Sequence, residues 1–166
     1  NGIVIGNGRQ TDVVTTLHDT AINVLNTQLA QQIYEEDKYH TPRITGSIVN
    51  HDDKWTHALH IIRDDGTGMA SREGFELDVL PEQYHFISTY AGANARPAPS
   101  FVGGPVAVEM ISGNAEQIAT QVYNAFAPSE GNTDLRTAVV ALCVNKKTKE
   151  IEQYIVNSVD HTPPSK

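Results

Sequence analysis

Cysteine is nearly absent from this sequence, which contains Cys143 and no second thiol. An internal disulfide is therefore excluded, and the composition is typical of a reducing compartment, so we expect a cytoplasmic location. Cys143 stands in the middle of an apolar run that predicts a strand. We therefore interpret it as core filling and not as a nucleophile.

Long apolar runs and basic clusters are also scarce. The longest apolar runs, such as residues 138–144, are far shorter than the roughly 20 residues that cross a bilayer, so we expect no membrane partner. The 12 Lys and Arg against 20 Asp and Glu give a formal net charge of −8. The one tight basic cluster, residues 146–149, is typical of a hairpin turn. Because nucleic acids are bound by clustered cations, we expect no nucleic acid partner.

Apolar residues recur with both helical and strand periods, which predicts the α+β class. The predicted helices are residues 11–17, capped by Thr11 or Asp12, residues 20–34, and residues 114–126, capped by Asn114. The predicted strands are residues 3–5, 43–50, 55–63, 73–80, 84–90, 136–144 and 151–156. The four strands from 43–50 to 84–90 are expected to be antiparallel neighbours. The length fits one domain over residues 1–166, with a flexible tail at 158–166.

Residues 39–46, with the sequence Tyr-His-Thr-Pro-Arg-Ile-Thr-Gly, place a cation at the entrance of a strand. Pro42 disfavours helical geometry at Thr41, so the chain leaves the preceding helix here and Arg43 opens the strand. A guanidinium remains charged and matches phosphate or carboxylate with paired donors, which indicates an anchor for an anionic ligand. The alternative is that Arg43 pairs with a nearby acidic side chain. The candidates for that pairing are Glu35, Glu36 and Asp37.

Residues 7–12, with the sequence Asn-Gly-Arg-Gln-Thr-Asp, form a second candidate segment. They lie between the apolar run at 3–5 and an amphipathic stretch that begins at Val13. A strand, a glycine turn and a helix start leave backbone N–H donors facing the turn. This order is typical of a cradle for a phosphate or a carboxamide.

Together these two segments resemble the archaeal-type IMP cyclohydrolases, also found in bacteria, in which NG-x-x-TD precedes Y-x-TPRI-x-G. Residues 88–105 are similar to the TY-x-G … N-x-x-P-x-PSF-x-G-x-P region of bacterial members, and residues 134–156 to the closing strands of the family. The resemblance runs from residue 3 to residue 157 in four ordered blocks. It implies a four-layer αββα sandwich like that of the N-terminal-nucleophile hydrolases.

The family's N-terminal portion, with strands, an SR motif and a tyrosine segment, has no counterpart in these residues. We expect that it was removed by processing, that it lies upstream of the given sequence, or that a second chain supplies it. A homo-oligomer is also expected, since domains of this size commonly pair about a symmetry axis.

The resemblance implies an enzyme of de novo purine biosynthesis that closes 5-formamidoimidazole-4-carboxamide ribotide to IMP, without a cofactor or metal. Arg43 would bind the phosphate or polarise the base oxygen, and Asn7 with the Gly8 backbone would bond the carboxamide or formyl group. The implied catalytic residues are Asn7, Tyr39, Arg43 and Tyr90, and the implied substrate-binding residues are Gly8, Thr11, Asp12 and Thr41.

Several of these residues have structural alternatives. Tyr39 and Tyr90 would donate hydroxyl protons or stack on the imidazole, but a tyrosine at a strand end is also a common core lid. Asp12 is a candidate to orient the amide or accept a proton, and equally a helix cap. Two alternative functions also remain. One is a non-catalytic nucleotide-binding member or subunit of the same fold, and the other is an amide hydrolase on this scaffold.

Histidines raise the question of a metal site, because the sequence holds seven of them. His57 and His60 fall in a predicted strand at a spacing that points them to opposite faces, which disfavours a shared zinc ion even with His51 nearby. The sequence also has no Gly-x-Ser-x-Gly elbow, and residues 6–8 lack the glycine spacing of a dinucleotide or P-loop motif. Serine-triad, nicotinamide and ATP chemistry therefore have no sequence signal.

Overall fold

The computed structural model describes residues 1–78, 83–91, 99–109, 111–134 and 136–157. The end of the predicted strand at 79–80, the middle of the proline-bearing loop at 92–98 and the predicted tail at 158–166 lie outside these residues. The chain divides into two compact units, Asn1–Glu109 and Met110–Lys166. Both contain helix and antiparallel sheet, which is compatible with the α+β class. The single domain and the four-layer sandwich stay predictions.

The first unit is built on a four-stranded antiparallel sheet in the order β1-β2-β3-β4. Its strands are β1 (Gly2–Gly6), β2 (Arg43–His51), β3 (Lys54–Asp64) and β4 (Ala70–Leu77). Thr45 faces His60 across β2 and β3, and Arg43 faces Ile62. Because side chains alternate along a strand, these four residues share one face of the sheet.

Helix α1 (Ala21–Leu29) covers that face. Leu25 and Leu29 are fully buried against Val49 of β2 and Ala58 of β3. Burying one such leucine contributes roughly 2 kcal/mol. The helix is also fastened at its start, where the Ala21 N–H donates to Thr56 Oγ1 at 2.8 Å.

The helix predicted over residues 11–17 is wrong, because the structure forms a short 3₁₀ helix, Arg9–Val13. Gly8 is its N-cap and no side chain caps it, so the predicted capping by Thr11 or Asp12 is also wrong. The run of β-branched residues at 13–16 loses side-chain rotamer freedom in an α-helix. Its backbone is satisfied from α1 instead, since the Thr15 and Thr16 N–H groups donate to Gln28 Oε1.

Helix α1 ends at Leu29 and not at residue 34 as predicted. The carbonyls beyond that point are used by arginines from the sheet. Arg72 donates to the Gln32 carbonyl, and Arg43 donates twice to the Glu35 carbonyl. These tertiary hydrogen bonds replace the helical ones and hold residues 30–36 against the sheet.

Strand β5 (Gln83–Phe86) pairs with β6 (Val106–Glu109) and not with β4. The prediction of antiparallel neighbours is therefore confirmed for β2, β3 and β4 and wrong for the strand at 84–90. The fourth strand of the sheet is β1, which pairs with β2 at the edge opposite β4. Strand β6 was not predicted. The end of the predicted strand 84–90 instead forms an isolated bridge between Tyr90 and Ser100.

The second unit packs helix α2 (Ala115–Ala125) on a hairpin of β7 (Ala138–Val144) and β8 (Ile151–Asn157). The predicted Asn114 cap is confirmed as a capping box, because Asn114 and Gln117 each bond the other's backbone N–H. Cys143 packs against this core, and burial raises the pKa of its thiol. That environment agrees with a core-filling residue.

Candidate functional site

The two segments singled out in the sequence lie side by side, because Asn7 fastens one to the other. Its Nδ2 donates to the Pro42 carbonyl at 3.0 Å, and its Oδ1 accepts from the Ile44 N–H at 2.7 Å. The Asn7 backbone N–H also donates to the Ile44 carbonyl at 3.2 Å. The glycine turn is therefore fixed against the residues on both sides of Arg43.

Arg43 is held firmly, with its side chain only 12% exposed. Its Nε and Nη2 donate to the Glu35 carbonyl at 3.0 and 2.6 Å. Nη2 also lies 3.4 Å from Asp37 Oδ2, and Nε lies 3.8 Å from Glu35 Oε2. The pairing with acidic side chains that the sequence left open is thus present for Glu35 and Asp37. Nη1 makes no hydrogen bond to any residue that the structure describes.

Asp37 organises the loop that leads into β2. Its Oδ1 accepts from the backbone N–H groups of Tyr39 and Thr41 at 2.9 and 3.0 Å. Hydrogen bonds from Thr41, assisted by the Tyr39 N–H and the charge of Arg43, lower the pKa of Asp37 to about 2. The carboxylate is therefore ionised at neutral pH and fixes both the loop and the guanidinium.

Two tyrosine hydroxyls meet the same loop at Thr41. Tyr90 OH lies 2.7 Å from Thr41 Oγ1, and Tyr34 OH donates to the Thr41 carbonyl at 3.1 Å. Burial first, and then the charge of Asp37, raise the pKa of Tyr34 to about 12, so its hydroxyl keeps its proton. These contacts bring the Tyr90 segment to the loop that carries Arg43.

A hollow of about 240 Å³ lies between the glycine turn and Arg43. Its lining residues are Arg9, Gln10, Gln32, Ile33, Tyr34, Glu35, Arg43 and Ile62. Gly8 stands at its edge, because a Cβ there would meet Gln10 Oε1, Arg43 Cδ and Glu35 Oε2. The absence of a side chain at Gly8 thus keeps the hollow open. Its φ of −170° is extended and available to any residue, so the requirement is for space alone.

A model of the family described as IMP cyclohydrolase-like protein matches residues 1–153. The chain belongs to the IMP cyclohydrolase-like family. Neither a curated protein nor a solved structure matches it. Within this family member, the hollow joins the two motif segments on which the resemblance first rested.

The eight residues predicted for the IMP cyclohydrolase-like site fall into three groups, of which two lie at or around the hollow. Arg43 lines the hollow, with Gly8 at its edge. Asn7, Thr11, Thr41 and Tyr90 support the surrounding loops, and Thr11 Oγ1 donates to the Gly8 carbonyl at 2.6 Å.

Tyr39 and Asp12 do not line this hollow. Tyr39 is 47% exposed, and the ammonium of Lys38 lies 4.7 Å from the centre of its ring. Asp12 is exposed in the first turn of the 3₁₀ helix.

Sequence reasoning missed Arg9 and Gln10, which stand inside the first family motif. Gln10 is only 5% exposed, and its Nε2 donates to the Ile44 carbonyl and to Thr45 Oγ1, both at 3.3 Å. The Arg9 side chain is 89% exposed and lies 4.0 Å from Glu35 Oε1. Both occupy variable positions of that motif, and only the fold reveals that they line a hollow with Arg43.

His60 is the buried histidine of this unit, 3% exposed beneath α1. Burial first, and then the charge of Arg72, lower its pKa to about 4, so the ring is neutral at neutral pH. Among the residues described, no three His, Cys, Asp or Glu side chains gather into a group that would hold a metal ion. In the same part of the chain, no helix is long and apolar enough to cross a membrane.

The second unit has a larger hollow, of about 490 Å³, whose lining is mainly apolar and aromatic. Its charged lining residue, Arg136, already donates to both oxygens of Asp134 and to the Tyr123 carbonyl. The guanidinium also lies 4.2 Å from the Tyr123 ring centre. This hollow is larger, but it is less suited to an anionic ligand than the first one. Its guanidinium already donates to Asp134 and to the Tyr123 carbonyl.

Proposed function

We propose that the protein is an IMP cyclohydrolase. The reaction joins the carboxamide nitrogen of 5-formamidoimidazole-4-carboxamide ribotide to its formyl carbon and releases the formyl oxygen as water. The substrate has the atomic composition of IMP plus one water molecule, so the reaction needs no redox partner and no group donor. The observation that carries the proposal is the shared hollow, in which the glycine turn and Arg43 of this family member line one space.

Positioning is the main demand of this ring closure. Holding the two reacting atoms in contact can contribute up to roughly 7–11 kcal/mol of barrier lowering. A rigid site serves that purpose, and Asp37, Asn7 and Tyr34 make the loops around Arg43 rigid through the hydrogen bonds described above. Arg43 then supplies a fixed positive charge beside the oxygen of the base, which it polarises as the carboxamide nitrogen becomes the nucleophile.

The size of the hollow limits which part of the substrate enters it. At about 240 Å³ it is smaller than the roughly 300–1,000 Å³ of sites for drug-sized ligands. We assign it to the imidazole and its carboxamide, with Arg43 polarising the oxygen of the base. The phosphate then lies outside, where the exposed guanidinium of Arg9 is available to it.

The predicted roles of the other residues are carried forward in a modified form. The Asn7 amide already donates one hydrogen bond to the backbone and accepts one from it, which supports a role in positioning the Arg43 segment. Tyr90 acts in the same way through Thr41. Tyr39 and Asp12 do not line the hollow, so their direct contact with substrate is not part of the proposal.

The four-layer αββα sandwich is also carried forward as a proposal. Its support lies in each unit separately. In the first unit the face opposite α1 carries apolar side chains at the centre of the sheet, among them Ile48 and Leu59. In the second unit the face opposite α2 exposes Val140 and Ile155, which pair across the hairpin. A cytoplasmic location, a homo-oligomer and a second chain stay predictions.

The proposal is tested by incubating the protein with the formamido ribotide and following the absorbance of IMP. Turnover with release of one IMP per substrate supports it. Calorimetric binding of IMP without turnover would favour the non-catalytic nucleotide-binding alternative. Release of formate from the same substrate would instead indicate an amide hydrolase.

A further inference from the structure

The side chain of Gln10 has a buried oxygen to which none of the described residues donates a hydrogen bond. The residue is 95% buried, lines the hollow beside Arg43, and its Oε1 has no partner among the residues described. The assignment of the amide atoms is fixed by the Ile44 carbonyl, which only accepts and therefore faces Nε2. The oxygen is the atom left over, close to Gly8.

Buried acceptors in folded proteins are nearly always paired, so an unpaired one beside a hollow calls for a donor, which a bound ligand can supply. The neighbouring groups restrict that ligand further. Arg9 and Arg43 supply cations on the same hollow and Glu35 supplies a carboxylate, so the ligand combines an anionic or strongly accepting group with N–H donors. A carboxamide-bearing ribotide has both features.

We propose that Gln10 Oε1 accepts a hydrogen bond from the carboxamide N–H of the substrate and thereby positions the attacking nitrogen. The inference rests on the proposed function and transfers to Gln10 the amide recognition that the sequence had suggested for Asn7. The carboxamide nitrogen carries two hydrogens, of which one is lost on ring closure and one stays as the N1–H of IMP. Gln10 holds the retained hydrogen, so the same contact serves substrate and product.

The test compares two ribotides on two protein variants by calorimetry. The ligands are 5-aminoimidazole-4-carboxamide ribotide and 5-aminoimidazole ribotide, which lacks the carboxamide. The variants are Gln10→Met and the control Gln28→Met. Gln28 is a suitable match because its amide also bonds backbone groups, at Thr15 and Thr16, and it does not line the hollow.

We expect Gln10→Met to weaken binding of the carboxamide ribotide about tenfold and to change binding of the carboxamide-free ribotide less than about twofold. Gln28→Met leaves both affinities unchanged. Equal losses of affinity for the two ligands would show that Gln10 has a structural role and would overturn the inference. An unchanged affinity for both ligands would overturn it as well. A ligand-dependent loss is not produced by general loosening of the fold.

The wild-type protein provides the second measurement, which is decisive if Gln10→Met does not fold. It must bind the carboxamide ribotide at least about tenfold more tightly than the carboxamide-free one, because the latter leaves Oε1 unpaired. Equal affinities overturn the inference. If the wild type forms IMP but fails these comparisons, the role of Gln10 alone is lost. If it neither binds ribotides nor forms IMP, the proposed function is lost with it.

Discussion

The side chain of Asn7 bonds the backbone on both sides of Arg43, accepting from Ile44 and donating to Pro42. One amide therefore sets the distance between the glycine turn and the arginine. In the proposed site, Asn7 therefore holds the Arg43 segment in place, and Arg43 is the residue that contacts the ligand.

Replacing Asn7 by Ala removes both bonds to the Arg43 segment and leaves the Ile44 N–H without its acceptor. We expect a loss of about 1–3 kcal/mol in the free energy of unfolding and at least about a tenfold fall in kcat/KM for IMP formation. Urea denaturation and steady-state kinetics check the two effects. The control is Asn23→Ala, since Asn23 is exposed on α1 and bonds only Asp19 in the described contacts. Wild-type kinetics for Asn7→Ala would contradict the bracing role.

Adding a methyl group at Gly8 tests the space beside the hollow. In Gly8→Ala the new Cβ meets the side chains of Gln10, Arg43 and Glu35. The extended backbone accepts alanine, but the crowding at buried Gln10 remains, so we expect a stability loss of about 1–3 kcal/mol. We also expect a fall in kcat/KM of about tenfold or more. Gly66→Ala is not a suitable control, since its φ is +80°. Ala30→Ser, an exposed change of one atom, reports the background effect. Activity unchanged in Gly8→Ala would show that this space is not used.

Asp37 makes the stability of the loop depend on acid pH. Its folded pKa of about 2 lies below the ordinary value of 3.8, so its contribution is complete above pH 4 and is lost as pH falls toward 2. We expect Asp37→Asn to be less stable than wild type at neutral pH, with the difference shrinking between pH 4 and 2. Urea midpoints at several pH values measure this. Asp12→Asn, at an exposed position, is the control and should follow the wild-type curve. A constant difference between Asp37→Asn and wild type would refute the assignment.

His60 gives a second pH effect at higher pH. The unfolded chain takes up a proton near pH 6.5, whereas the folded His60 does so only near its pKa of about 4. The free energy of unfolding therefore falls as pH is lowered from 6.5 to 4, by roughly 3 kcal/mol at most. We expect His60→Gln to lose this slope in urea titrations, while the exposed control His18→Gln retains it. An identical slope in His60→Gln would rule out a buried neutral ring.

Much of the fold followed from the sequence because the local signals agreed with the tertiary structure. Strand β2 begins at Arg43 as the Pro42 argument required, and the Asn114 cap is present with its reciprocal Gln117 bond. The errors came where distant partners decide. Helix α1 stops early because sheet arginines take the carbonyls of Gln32 and Glu35, which periodicity does not reveal.

The candidate site was predictable to a similar extent. The two motif segments do meet, and Arg43 lines the space between them. The sequence did not reveal that the Asn7 amide is occupied by backbone groups, nor that Gln10 lines the hollow with an amide oxygen that has no partner among the described residues. Both depend on how a turn at residues 7–10 sits against a strand that begins 33 positions later at Arg43. The amino-acid sequence of the two motifs does not specify such tertiary contacts.

The central claim is that Arg43 acts in IMP formation from within the hollow. The most direct test is kcat/KM for conversion of the formamido ribotide by wild type, Arg43→Ala and Arg136→Ala. Arg136 is a matched control, because it too bonds a backbone carbonyl and a carboxylate but lines the other hollow. We expect Arg43→Ala to lose at least about tenfold, or 1.4 kcal/mol, with Arg136→Ala near wild type. Equal rates for all three proteins would contradict the account.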